Sequence, residues 1–186
     1  MTVGEVAPTG PTLVVGGTGM LRRVTRTLAL DRTVVVVSRG GENLEALRAK
    51  APAVVPVIAD WRKPRALERA LWKATADSGA FSLCIAWMHS DAVRGPETLA
   101  QFVQGRFFHV LGSAAADPAR PDTELREKML AMPGLSYHEV VLGFVREGAK
   151  SRWLTDMEIT RGVLTALAWA KPRTVVGTVT PWSAHP

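Results

Sequence analysis

Thr12-Leu13-Val14-Val15-Gly16-Gly17-Thr18-Gly19-Met20 is an apolar run that breaks into a glycine-rich turn. Thr12 to Gly16 reads as a short buried strand. Beyond the turn, Met20, Leu21, Val24 and Leu28 fall on one face of a helix predicted over Met20 to Leu30. Thr33 to Ser38 follows, β-branched and apolar on both faces, as a buried parallel strand should be. In this strand–turn–helix–strand context a glycine-rich turn lets the backbone approach a pyrophosphate. The helix N-terminus adds N–H groups and the positive end of its dipole. The plainer alternative is a tight turn with no ligand.

Two departures from the usual dinucleotide pattern carry information. A full fingerprint would place a third glycine at position 22, where this chain has Arg22. Arg22 either points away from the sheet or leans toward cofactor phosphates. At the end of the second strand, NAD-binding folds place an acid for the ribose 2′-hydroxyl; here Ser38-Arg39 stands instead. A hydroxyl followed by a guanidinium suits a 2′-phosphate, so the predicted cofactor is NADP(H), a solvated Arg39 being the alternative. Asp60-Trp61 closes a third strand, Val54 to Ala59, and could border the adenine, with Asp60 accepting from the amino group; a surface carboxylate is the competing reading.

The alternation continues along the chain. Helices are predicted over Glu42 to Lys50, from Pro64, from Pro96, over Thr123 to Met132, and from Asp156 to about Ala170. The last starts at the capping box Thr155-x-x-Glu158 and stops at Pro172. Strands are predicted at Phe81 to Trp87, Arg106 to Leu111, Ser136 to Val145 and Thr174 to Thr180. Ala114 to Pro121 and Arg146 to Ser151 read as loops. Seven strands separated by helices predict an α/β fold, one doubly wound Rossmann-type domain with a mostly parallel sheet. Its expected bounds are 12–180, after a flexible lead-in at 1–11 and before a tail at 181–186.

Composition narrows the function classes. No apolar run is long enough to span a bilayer, and Met1 to Pro11 has no secretory pattern. Cys84 is the single cysteine, which fits a reducing cytoplasm, and it lies in an apolar strand as inert packing. The net charge is +6, which raises nucleic acid as a partner. The densest basic cluster, Arg22, Arg23 and Arg26, has no interleaved aromatics, so an Arg-rich bias and a cleft for a phosphate-bearing cofactor account for the excess better. His89, His109, His138 and His185 are scattered without metal-ligand spacing, so no metal is expected.

On the Gly-Gly-Thr-Gly turn and this strand order, the chain resembles the short-chain dehydrogenase/reductase superfamily over most of its length. The resemblance implies an NAD(P)-dependent oxidoreductase, commonly a homo-oligomer. It places Ala86-Trp87 beside the nicotinamide ribose and Ser113 in the position of the catalytic serine. The superfamily also needs Tyr-x-x-x-Lys on the helix after the fifth strand. The only tyrosine is Tyr137, and Val141 lies four residues on, so the chain looks like an atypical member without that relay. His89, just after the fourth strand, could supply a proton or merely cap a loop. Tyr137 reads as structural, His109 and His138 as satisfied sheet histidines. Arg152 could bind an anionic group or be a solvated loop charge, and Trp153 reads as a staple on the last helix.

The expected function is NADP(H)-dependent reduction of a small carbonyl, imine or enone. The competing class is a non-catalytic NADP(H) sensor or a partner subunit of another enzyme. The predicted site is Gly16, Gly17, Thr18, Gly19, Met20, Ser38, Arg39, Asp60, Trp61, Ala86 and Trp87 for the cofactor, with Ser113 and His89 for catalysis. The expected setting is cytoplasmic, with no membrane and a small-molecule substrate.

Overall fold

A computed structural model describes residues 10–76, 79–89, 91–117, 119, 123–148 and 150–186. The apolar runs form a seven-stranded sheet. β1 (Thr12–Val15), β2 (Val34–Ser38) and β3 (Val54–Ile58) make one half. β4 (Phe81–Trp87), β5 (Val103–Gly112), β6 (Leu135–Leu142) and β9 (Arg173–Val176) make the other. The order is β3-β2-β1-β4-β5-β6-β9, and every pairing is parallel. The order reverses between β1 and β4. In open sheets of this kind the crevice at the strands' carboxyl ends, where the order reverses, is the ligand site.

Among the described residues, six α-helices cover the sheet. α1 (Arg22–Leu28), α2 (Gly41–Arg48) and α6 (Asp156–Trp169) lie on one face, where Val24, Leu44 and Val163 pack on Val14, Val36, Ile85 and Phe108. α3 (Pro64–Thr75), α4 (Gly95–Ala100) and α5 (Glu124–Leu130) lie on the other. There Leu71, Leu99 and Met129 pack on Leu13, Val35 and Phe107. Each of these side chains contributes about 1.5–3 kcal/mol on leaving water. Pro64 opens α3, and the Thr155–Glu158 capping box opens α6, as the sequence predicts. Cys84 is fully buried, and burial pushes its thiol far above the ordinary range, so it is inert packing.

Several predicted boundaries are corrected. The seventh strand of the sheet does not run to Thr180 but ends at Val176, and the fifth starts at Val103 rather than Arg106. The sixth strand does not run to Val145. It ends at Leu142, and Gly143 turns the chain away at a spot where a Cβ would strike the backbone of Thr178. Arg146 to Ser151 is not a loop. β7 (Phe144–Glu147) and β8 (Lys150–Trp153) form an antiparallel hairpin, with Gly148 at φ +65° leading the turn. The segment 181–186 is folded back. Its short 3₁₀ turn, Trp182–Ala184, brings His185 against Phe144 and Trp153 of that hairpin. Among the described residues, no helix is long and apolar enough to cross a membrane.

Candidate functional site

The glycine turn leaves β1 at Gly16, which has φ +83° and whose hydrogen faces the Trp87 carbonyl; a Cβ there would lie 2.8 Å from that oxygen. Gly17 sits where a Cβ would meet Thr25 Oγ1 at 2.7 Å and Val36 Cγ1 at 2.9 Å. Gly17 therefore provides the close helix–sheet packing expected of a third glycine. That frees position 22, and Arg22 is exposed and lines a cleft with Thr18. Gly19 is exposed, and the nearest atom to a Cβ there is 3.9 Å away, so this side of the turn is open to a ligand. The helix is shorter than predicted, beginning at Arg22 rather than Met20. The Gly16 carbonyl accepts from the N–H groups of Gly19 and Leu21, closing the turn.

Thr18 and Ser38 share a hydrogen bond of 3.2 Å, tying the turn to the end of β2. Next to Ser38, the Arg39 guanidinium lies over the Trp61 ring, 4.9 Å from its centroid. Trp61 is buried, and its Nε1 has no hydrogen-bond partner among the described residues. Asp60 is committed elsewhere. Its carboxylate accepts from Arg62 Nε and Nη2, both at 3.0 Å, and this pairing holds it below the usual carboxylate range. A cleft of about 240 Å³ adjoins Thr18 between α1 and α2, lined by Arg22, Arg23, Arg26 and Lys50. The cluster read from the sequence as a basic bias is thus a pocket beside the turn.

The strands' carboxyl ends gather the predicted residues. Val57, Val37, Val15, Ala86, His109, Glu139 and Arg173 stand in one row across the sheet. The glycine turn, Arg39, Trp61 and Ser113 follow their strands at this edge, and Trp87 ends β4 there. Ala86 is fully buried, Trp87 half-buried, and His89 exposed with its ring 6.3 Å from that of Trp87. Ser113 is buried in a 3₁₀ turn, Ser113–Ala116, and its Oγ shares a 2.7 Å hydrogen bond with His185 Nε2. Trp153 and Trp182 hold the imidazole, at 4.8 and 4.7 Å between ring centroids. Trp153, read as a helix staple, lies edge-on to this ring. Arg152 is held by Glu147 at 2.6 Å and by Glu158 at 2.9 Å, so its guanidinium serves the hairpin–helix junction.

A second group of polar side chains lies on the α3–α4–α5 face. Tyr137 Oη and His109 Nδ1 share a buried hydrogen bond of 2.9 Å. Beside them Glu139, 4% exposed, accepts from Arg173 Nη1 at 2.9 Å, with Arg126 Nε 3.9 Å away. All five border a cavity of about 1010 Å³ that reaches Trp87, His89 and Gly112 at the sheet edge. His138, stacked on Phe108, is satisfied by Ser136 and by the Lys171 carbonyl. Among the described residues, no group of three or more His, Cys, Asp or Glu side chains could hold a metal ion.

Burial depresses the His109 pKa from 6.5 to about 4. The folded chain keeps this imidazole neutral, while the unfolded chain takes up a proton near 6.5. Between these values the unfolded state binds more protons, so stability falls as pH drops from 6.5 to 4, by up to about 3 kcal/mol. Urea unfolding at pH 7.5 and 4.5 should show this loss, and His109→Gln should lessen it. An equal dependence in both proteins would contradict the assignment.

No family model matches the chain, and no curated protein matches it in sequence. Solved structures do match in fold. A short-chain dehydrogenase from Bacillus anthracis str. 'Ames Ancestor' aligns with a TM-score of 0.72 at 15% identity, covering 94% of this chain and 97% of that one. A metagenomic short-chain oxidoreductase solved with NADP gives 0.67 at 16% identity, covering 91% and 97%. BdcA, solved in complex with NADPH, gives 0.66 at 14% identity, covering 91% and 93%. The chain has the fold of the short-chain dehydrogenases/reductases.

Proposed function

We propose that the chain binds NADP(H) at the Gly16–Met20 turn and acts as an atypical short-chain oxidoreductase on a small carbonyl, imine or enone. The observation that carries this reading is the Arg39 guanidinium laid over Trp61, one residue beyond a Ser38 already bonded to the turn through Thr18. The residues fit the cofactor. Gly19 leaves room for a pyrophosphate, and Thr18, Ser38 and Arg39 present two hydroxyls and a fork of donors toward a 2′-phosphate. The basic cleft beside Thr18 adds positive potential there. Ala86 and Trp87 would border the nicotinamide ribose. Asp60 would border the adenine only by giving up Arg62. Solved neighbours of the same fold carry NADP or NADPH.

Bound NADP(H) would supply or accept the hydride. The chain's own part is the proton. Ser113 Oγ would give a proton to a developing oxyanion at the edge of β5. His185 Nε2, which shares a 2.7 Å hydrogen bond with it, would replace that proton. His89, at the open side of the same edge, serves as the alternative donor through water. The second reading, a non-catalytic NADP(H) sensor or partner subunit, is favoured by one fact: the Ser113 hydroxyl is buried under the C-terminal segment.

The test is a titration with NADPH and with NADH, followed by tryptophan fluorescence. Saturable binding with a clear preference for NADPH is expected, and no saturable binding would remove both readings. Transfer of deuteride from labelled NADPH to a panel of carbonyls and imines then separates enzyme from sensor.

A further inference from the structure

The large cavity has a structural cause. α4 has six residues and α5 seven, against fourteen for α6 on the opposite face. Among the described residues, these two short helices leave a cavity over the ends of β5 and β6 on their side. What lies there is not an ordinary sheet surface. His109, Tyr137 and Glu139 are each at most 5% exposed, yet all three border the opening. A volume of about 1010 Å³ is at the upper end of small-molecule sites, and such sites combine apolar walls with a few convergent polar groups.

The charges at the floor are unequal. Glu139 faces two guanidiniums, Arg173 and Arg126. Arg173 is the more committed of the two, since it also donates to the Ala115 carbonyl at 2.8 Å. Arg126 is at the edge of pairing distance, 3.9 Å, on a side chain 40% exposed. Arg126 is therefore the less committed guanidinium in a lining whose four cations and four carboxylates otherwise balance, and it offers a fork of donors suited to a carboxylate. Leu111 and Leu125 add partly buried apolar lining. Glu97 and Glu124 stand at the rim with Lys128 between them, which disfavours a ligand with more than one negative charge.

We infer that this cavity binds an apolar molecule carrying a single carboxylate, which Arg126 receives. The cavity's reach to Trp87 and Gly112 makes this the substrate pocket, an extension that rests on the NADP(H) reading. The binding itself does not rest on it. Octanoate and 1-octanol serve as probes, alike in body and different in charge, with binding measured by calorimetry. Octanoate should bind at one site, at least tenfold more tightly than octanol. Arg126→Gln should abolish that preference while leaving octanol binding unchanged, and Arg126→Lys should keep part of it. Equal binding of the two probes, no binding of either, or a preference that survives Arg126→Gln would overturn the inference. NADPH titrated into the same samples keeps the two claims apart. NADPH that fails to bind removes the cofactor reading alone, and octanoate that fails to bind removes the carboxylate site alone.

Discussion

Arg39→Glu is expected to weaken NADPH binding on the order of a thousandfold while leaving NADH binding within a few-fold. The two cofactors differ only in the 2′-phosphate, so the difference between them reads the local charge. In the folded chain the Arg39 guanidinium already lies over Trp61, 4.9 Å from the ring centroid, beside a Ser38 held by Thr18. A side chain ordered before binding gives up less rotamer freedom when the phosphate arrives. Removing a charge-assisted hydrogen bond costs about 1.5–3 kcal/mol. Placing a carboxylate against a phosphate adds repulsion, and a total of about 4 kcal/mol corresponds to the thousandfold loss. Arg22, Arg26 and Lys50, which line the cleft beside Thr18, soften the effect without replacing it, since Arg39 is the guanidinium next to Ser38. Parallel losses for NADPH and NADH would mean that Arg39 supports the site's shape and not its phosphate. An unchanged NADPH affinity would place the phosphate elsewhere.

The parts of the fold that follow from short-range patterns were legible in the sequence. Val34 to Val37 are buried on both faces, and the run of β-branched residues says so directly. The Thr155–Glu158 box marks the start of α6 because both of its hydrogen bonds are local. The turn at Gly16 was legible for the same reason. Gly17 was less so: that it, and not residue 22, carries the close helix–sheet packing depends on Thr25 and Val36, which spacing alone does not place. The β7–β8 hairpin was missed because Arg146 to Ser151 is polar, and its pairing draws on Phe144 facing Trp153 at the far end. Glu139 had left a signal, a carboxylate next to the buried apolar run Val140 to Leu142 of a strand, which requires a cation nearby. Its partners, Arg126 on α5 and Arg173 on β9, could be named only from the fold. His185 left none. It was one scattered histidine in a predicted tail, and it reaches Ser113 only because the last residues fold back across the hairpin.

That contact sets the other large effect. Ser113→Ala and His185→Ala should each lower kcat by about a hundredfold or more, and the double variant should be no slower than the worse single one. A serine hydroxyl alone is a poor acid at neutral pH. It can give its proton to a developing oxyanion only if another group returns one at the same moment, and His185 Nε2, at 2.7 Å, is the group in contact. The imidazole is held by Phe144, Trp153 and Trp182, so its position does not depend on the substrate. Two residues that work as one relay fail together, whereas two with separate tasks multiply their losses. A double variant slower by the product of the single effects would therefore dissolve the pair. His185→Gln isolates the proton from the geometry, since an amide can still hold the serine but cannot resupply a proton. It should match His185→Ala in kcat, and activity restored by glutamine would make the histidine a positioning residue. NADPH affinity should stay within a few-fold in every variant, because neither side chain belongs to the glycine turn. If NADPH binds but no variant and no wild-type preparation transfers deuteride, Ser113 is held under the C-terminal segment for good, and the protein reads the cofactor without using it.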